Sequence, residues 1–226
     1  MAVALAFPVL VLIGFGPTYY AKGLFATPPL PSRLVDVHGL LMTAWVALFI
    51  TQVGLISSKR IRLHQTLGYG SIGLATLIIA SVIPVGLRAA KYGSASFPPA
   101  IPPLSFLIVP MLDLVLFALF FGGAVYYRRR PAEHKSLMLL TVLNFLPPAV
   151  ARIQVPALLA LGPLWFFGVP SVIALVCVAI QARRYGRLNT VFVAGSLLLI
   201  VSYVARLVLM STGPWMSLAT WMTSFV

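Results

Sequence analysis

At 226 residues, with 61% hydrophobic side chains, a mean hydropathy of +1.04 and only 8% charged residues, the chain is far from a soluble domain, which carries about 25% charged residues. It reads as an integral membrane protein. A formal charge of +13 would point to nucleic acid in a soluble chain. Here the sixteen Lys and Arg sit mostly between apolar runs, where membrane topology and anionic lipid account for them, so no nucleic-acid partner is expected.

Crossing the hydrocarbon core takes about 20 apolar residues. Seven such runs follow one another, at 2–20, 34–57, 66–88, 103–127, 136–153, 164–182 and 189–210. They predict an all-α, seven-helix bundle forming one integral membrane domain over residues 1–226. The first run has no basic segment before it. It ends in Tyr19-Tyr20-Ala21-Lys22 without a small-residue cleavage site, so it is expected to be a retained helix rather than a signal peptide.

The second run opens with Asp36 and His38. Gly39, Thr43, Ala47 and Thr51 recur every four residues and form a small-residue stripe that admits a close neighbour. His38, Trp45 and Gln52 recur every seven on another face, roughly in line along the helix. The run closes on the basic turn Lys59-Arg60-Ile61-Arg62-Leu63-His64. Gly68-Tyr-Gly70-Ser-Ile-Gly73, just beyond, matches the dinucleotide fingerprint, but that motif has meaning only between a strand and a helix. Helix packing explains these glycines, and the cofactor reading is discarded.

The turns after runs two, four and six hold Lys59, Arg60, Arg62; Arg128, Arg129, Arg130, Lys135; and Arg183, Arg184, Arg187. These ten cations stand against five in the alternate connections, Lys22, Arg33, Arg88, Lys91 and Arg152. The asymmetry predicts cytoplasmic basic turns, a cytoplasmic N-terminus and an external C-terminus. The alternate connections are rich in proline, at Pro28-Pro29-Leu-Pro31, Pro98-Pro99-Ala-Ile-Pro102-Pro103 and Pro156 to Pro163, and are expected to be stiff, ordered outer loops. Prolines at 8, 17, 84, 110, 147, 148 and 170 are expected to bend their helices. The tail from Gly213, with Trp215, Trp221 and Phe225, is too short to span and reads as an interfacial segment.

Asp113 is the most costly residue, about ten positions into run four and three after Pro110. A charge at mid-membrane costs about 2.5–3.5 kcal/mol on insertion scales, so Asp113 must face the interior and have a partner. His38, Arg152 and Arg206 share its predicted half of the membrane. Together the four suit a polar site for an anionic headgroup, a quinone or a proton relay; the plainer reading is a neutral Asp113 bonded to a freed carbonyl, or a structural Asp–Arg pair. His64 and His134 share the opposite interface, where neutral imidazoles could ligate one haem iron. Their plainer role is to anchor the helices and donate to loop carbonyls. The single Cys177 permits no disulfide or cysteine metal cluster. No lysine lies inside a run, which excludes a retinal protein. The phosphate-loop, G-x-S-x-G and H-E-x-x-H motifs are lacking, so hydrolytic chemistry is not expected.

The stretches Val37-His38-Gly-Leu-Leu-Met-Thr-Ala-Trp45, His64-x-x-Leu67-Gly68 and His134-Lys-x-Leu-Met138 resemble those of a group of bacterial multi-pass membrane proteins. The resemblance runs from the first run to about Arg152 and implies a multi-pass fold in the bacterial inner membrane. It carries no catalytic signature. Histidines at the ends of short hairpins are loosely similar to those of cytochrome b561-like proteins and small oxidase-assembly membrane proteins. That likeness implies a redox-associated role in electron transport: binding a haem b or a quinone, or assisting a respiratory or photosynthetic complex. With three histidines, two bis-histidine haems are excluded and one is allowed. The other two expectations are a small-molecule or ion transporter using the Asp113, Arg152, Arg206 and His38 pathway, and an accessory subunit whose polar residues only pack helices.

Overall fold

The computed structural model describes residues 2–25, 27, 30, 32–94 and 101–226, with side chains from residue 6 onward. All regular structure among them is helical. Five helical stretches are long and apolar enough to cross a membrane: Arg33–Ser57, Ile61–Tyr92, Pro103–Tyr126, Pro163–Tyr185 and Thr190–Leu209. Four of these match the expected runs within a few residues. The exception, Ile61–Tyr92, begins five residues before its apolar run, because polar Arg62 and His64 continue the helix beyond the apolar stretch. Many large apolar side chains on these helices, among them Leu40, Leu77, Leu119, Val172 and Val204, are exposed, as lipid-facing residues must be.

The other two expected runs take different forms. Helix α1 (Ala2–Phe15) gives way to a π-helical turn at Gly16–Tyr20, closed by Ala21 N–H donating to Gly16 O at 2.8 Å. The run at 136–153 breaks: α6 (Pro131–Asn144) is only 14 residues, and α7 (Pro147–Val150) follows. Pro147 and Pro148 have no N–H, so the ladder cannot continue past Leu143 and Asn144. The break sits among buried residues, with Leu146, Ala149 and Val150 at or near zero exposure. A break in the ladder is tolerated where the surrounding protein supplies partners for the freed groups.

The chain forms two compact units, Met1–Val85 and Gly86–Val226, and the division falls inside α3 (Ile61–Tyr92). In the first unit, α2 (Arg33–Ser57) lies between α1 with its π turn and the first part of α3. The face carrying His38, Trp45 and Gln52 meets α3. The His38 ring bonds Ser81, Gln52 Nε2 donates to His64 O at 3.2 Å, and Trp45 is buried. The small-residue stripe takes the π turn instead: Tyr20 and Thr43 share a hydrogen bond of 3.0 Å. A Cβ on Gly39 would stand 2.4 Å from the Tyr19 ring. Gly68, Gly70 and Gly73 are helical throughout, with no strand before them.

In the second unit, α5 (Ile108–Tyr126), preceded by the single turn α4 (Pro103–Phe106), packs on α6 and on α11 (Thr190–Leu209). Helix α10 (Gly168–Tyr185) packs on α6 and α11. The turns α8 (Pro156–Leu159) and α9 (Pro163–Phe166) connect α7 to α10, each started by a proline at a position where a missing N–H costs nothing. Helix α12 (Gly213–Thr223), 11 residues and thus too short to span, folds against α4, with Trp215 Nε1 donating to Leu104 O at 3.1 Å. Leu87, Ala90, Leu107 and Ala219 form the core beneath it. Pro28, Pro29, Pro31, Pro98 and Pro99, on which two of the expected outer loops rest, lie outside the described residues.

The Gly39 contact gives a direct test of the first unit. Gly39→Ala should lower its stability by about 1–3 kcal/mol, the usual range for overpacking. Tyr19→Ala should recover much of that loss in the double variant. Thermal melts of the four proteins in one detergent measure the coupling.

Candidate functional site

Asp113, the sixth residue of α5, meets Arg206, three residues before the end of α11. Arg206 Nη1 donates to Asp113 Oδ1 at 2.6 Å, and the two side chains are 0% and 9% exposed. The partners are 93 residues apart in sequence, and the antiparallel pairing of α5 and α11 brings them to one level. The pair is net neutral, so the interior carries no uncompensated charge there.

Around the pair, the broken end of α6 supplies polar groups. Asn144, its last residue, is fully buried and donates Nδ2–H to the main-chain oxygen of Asp113 at 2.8 Å. The carbonyl of Leu143 loses its usual i+4 donor to Pro147. It receives Leu146 N–H at 3.2 Å and the Tyr203 hydroxyl at 3.5 Å instead. Tyr203 lies one turn before Arg206 on α11. Its ring stacks on Phe167, with centroids 4.5 Å apart and planes at 17°. The guanidinium carbon of Arg206 stands 5.2 Å from the Tyr203 centroid and 5.8 Å from that of Phe167. Aromatic faces here take up the cation that one carboxylate oxygen contacts.

The site has unmet capacity. Arg206 Nε and Nη2 and Asn144 Oδ1 are buried without a hydrogen-bond partner. Each such group costs about 1–3 kcal/mol when left unpaired. Donors and an acceptor therefore remain beside a pair whose charge is already balanced. A shallow apolar groove on α11, lined by Ile200, Val201, Val204, Ala205, Val208 and Leu209, does not serve them. At about 100° per residue, Val204 and Val208 face away from Arg206.

The remaining expected site residues fall elsewhere. Arg152 Nη1 donates to Pro148 O at 2.7 Å, closing the turn after α7. His38 belongs to the first unit, its Nδ1 2.9 Å from Ser81 Oγ. The Ser81 hydroxyl also reaches Ile78 O at 2.8 Å. His134 bonds Ala124 O through Nδ1 at 2.8 Å. A carbonyl only accepts, so His134 Nδ1 is the donor. It meets a carbonyl of the last turn of α5, which has no partner within its own helix. His64 and His134 are each the fourth residue of their helix, with main-chain N–H groups bonded to Arg60 O and Arg130 O at 3.1 and 3.0 Å. They belong to different units. Among the described residues, no group of three or more His, Cys, Asp or Glu could hold a metal ion.

Asn144, Tyr203 and Phe167 were not singled out in the sequence. Asn144 had a signal: an amide within an apolar run, three residues before a Pro-Pro pair. No protein-family model, curated protein or solved structure matches the chain.

Removing one partner of a buried pair leaves the other as an isolated charge or unmet donor. Arg206→Met and Asp113→Leu should each cost about 3–5 kcal/mol, and the double variant should recover most of it. Urea or thermal unfolding in detergent, combined as a double-mutant cycle, measures this.

Proposed function

We propose that the chain is a redox-associated, multi-pass membrane protein whose second unit holds the head of a quinone-type molecule at Arg206, Asn144 and Asp113. The observation that supports this reading is the set of unmet atoms: Arg206 Nε and Nη2 as donors, on a helix apolar enough to cross a membrane, and Asn144 Oδ1 as acceptor at the end of α6. A quinone carbonyl accepts from the guanidinium, and the hydroxyl of the reduced form donates to the amide oxygen. Because Asp113 already balances Arg206, a neutral ligand fits better than an anion. The stacked Phe167 and Tyr203 rings offer a flat aromatic neighbour for a planar head group. The location follows from the resemblance: the bacterial inner membrane, in association with an electron-transport complex.

In this reading α1 with its π turn, and α6 with α7, supply two further crossings. The total is seven, with the N-terminus in the cytoplasm and the C-terminus outside. The support is the ten-to-five division of Lys and Arg. Single cysteines placed at Lys59, Arg129 and Arg187 in a Cys177→Ser background should resist membrane-impermeant thiol reagents in intact cells. One placed at Ser224 should react. The reverse pattern refutes the orientation, and disagreement among the three turns refutes the count.

The second reading is a structural clamp joining α5, α6 and α11, favoured by the sealed, neutral state of the ion pair itself. Solvent extraction of gently purified protein, with quantification of isoprenoid quinones, separates the two. The quinone reading expects bound quinone in wild type and a loss of about tenfold in Asn144→Leu, the scale of one lost buried hydrogen bond. The Asp113→Leu/Arg206→Met double variant should be folded and quinone-free. A folded wild type without quinone leaves the clamp.

A further inference from the structure

The cations of the second unit are not spread evenly. Arg128, Arg129, Arg130 and Lys135 lie in and just after the α5–α6 turn, and Arg183, Arg184 and Arg187 lie around the α10–α11 turn. All seven are exposed. The helix packing puts both turns at the same end of the unit. Gln181, four residues before the end of α10, donates through Nε2 to Ser136 Oγ near the start of α6 at 3.3 Å. On the same side, Gly195 of α11 lies under Leu140 of α6 and Phe120 of α5, where an added Cβ would stand 2.4 Å from Leu140. Glu133 is the one carboxylate among the two turns.

Both turns have fixed backbones. Gly186 takes the left-handed conformation (φ 66°) that ends α10, and the Asn189 side chain accepts from Phe192 N–H at 3.0 Å to start α11. At the other turn, Arg130 N–H donates to Tyr127 O at 2.7 Å. Exposed Tyr126 and Tyr185 stand beside the cations. Arg130 and Arg184 lie 5.7 and 5.9 Å from the centroids of Tyr127 and Tyr185. Tyrosines interleaved with cations at the ends of apolar helices sit at headgroup depth in a bilayer.

We infer that these two turns form one joint site for anionic phospholipid headgroups, held side by side by the Gln181–Ser136 contact. Bidentate guanidinium groups suit phosphate oxygens, the fixed turns need little ordering on binding, and the adjacent apolar helices accept the acyl chains. Charge complementarity and depth select the lipid over a soluble anion. The site is separate from the Asp113–Arg206 centre and does not rest on the quinone reading.

The test uses the full chain in nanodiscs of phosphatidylcholine doped with spin-labelled phosphatidylglycerol or spin-labelled phosphatidylcholine. Electron paramagnetic resonance reads the motionally restricted fraction of each. Wild type should prefer phosphatidylglycerol severalfold, and added salt should weaken that preference as it screens the charges. Arg128→Gln/Arg129→Gln/Arg130→Gln and Arg183→Gln/Arg184→Gln/Arg187→Gln should each remove most of the preference, since one headgroup needs both turns. Losses that merely add would refute a joint site. No preference in wild type, or one insensitive to salt, would refute lipid binding without recourse to any variant. Displacement of the lipid by equimolar inorganic phosphate or by an acidic protein would refute it equally.

Discussion

In apolar surroundings a backbone N–H or C=O without a partner costs several kcal/mol, because no water is available to replace it. The same holds for a polar side chain, and most of the long-range hydrogen bonds in this protein answer that need. Tyr19 donates to Asp36 O, Gln52 to His64 O, His134 to Ala124 O, Asn144 to Asp113 O, Trp165 to Val150 O and Trp215 to Leu104 O. In each case a polar side chain from one segment meets a main-chain oxygen of another. The chain uses its few polar residues mainly as straps between helical segments.

The Asp113–Arg206 pair belongs to the same economy and exceeds it. A lone carboxylate at that depth is unfavourable by a few kcal/mol, and pairing removes that penalty. Had stability alone shaped the site, apolar residues of similar volume would serve as well or better. The cost of the three unmet atoms is added to that comparison, so the arrangement is more expensive than a clamp requires. That excess favours a ligand over a strap. Buried polar groups that are half satisfied are where an interior departs from optimal packing, and such departures concentrate at sites of function.

The apolar crossings were legible because length and hydropathy are local properties: run 34–57 is found as Arg33–Ser57 and run 189–210 as Thr190–Leu209. Run 136–153 reads as one bent helix because it is mostly apolar, yet Pro147 and Pro148 end the ladder at Asn144. Asp113 announced itself by its cost, and the need for a partner followed. Sequence could not choose among Arg206, Arg152 and His38, because the choice depends on the pairing of α5 with α11. Neither could it foresee that Arg152 would spend a donor on its own turn at Pro148. Asn144, an uncharged amide, carried too small an insertion penalty to stand out, though it completes the site.

The histidines show why residue type alone underdetermines chemistry. His38 Nδ1 shares a hydrogen bond with the Ser81 hydroxyl, and His134 holds a proton on Nδ1 that it donates to the Ala124 carbonyl. That is the tautomer a metal-binding imidazole adopts when its second nitrogen is oriented by an outer partner. It is equally the tautomer produced when an imidazole closes off a helix end. A capping role and a ligating role share their hydrogen bond, so the bond cannot discriminate between them; what discriminates is whether other donor atoms converge nearby. Around Asp113 and Arg206 they do, with Asn144 and Tyr203 arriving from two further positions in the chain. Convergence of chemically unmet groups, rather than the presence of any one reactive side chain, therefore ranks the Asp113–Arg206 centre ahead of the histidines.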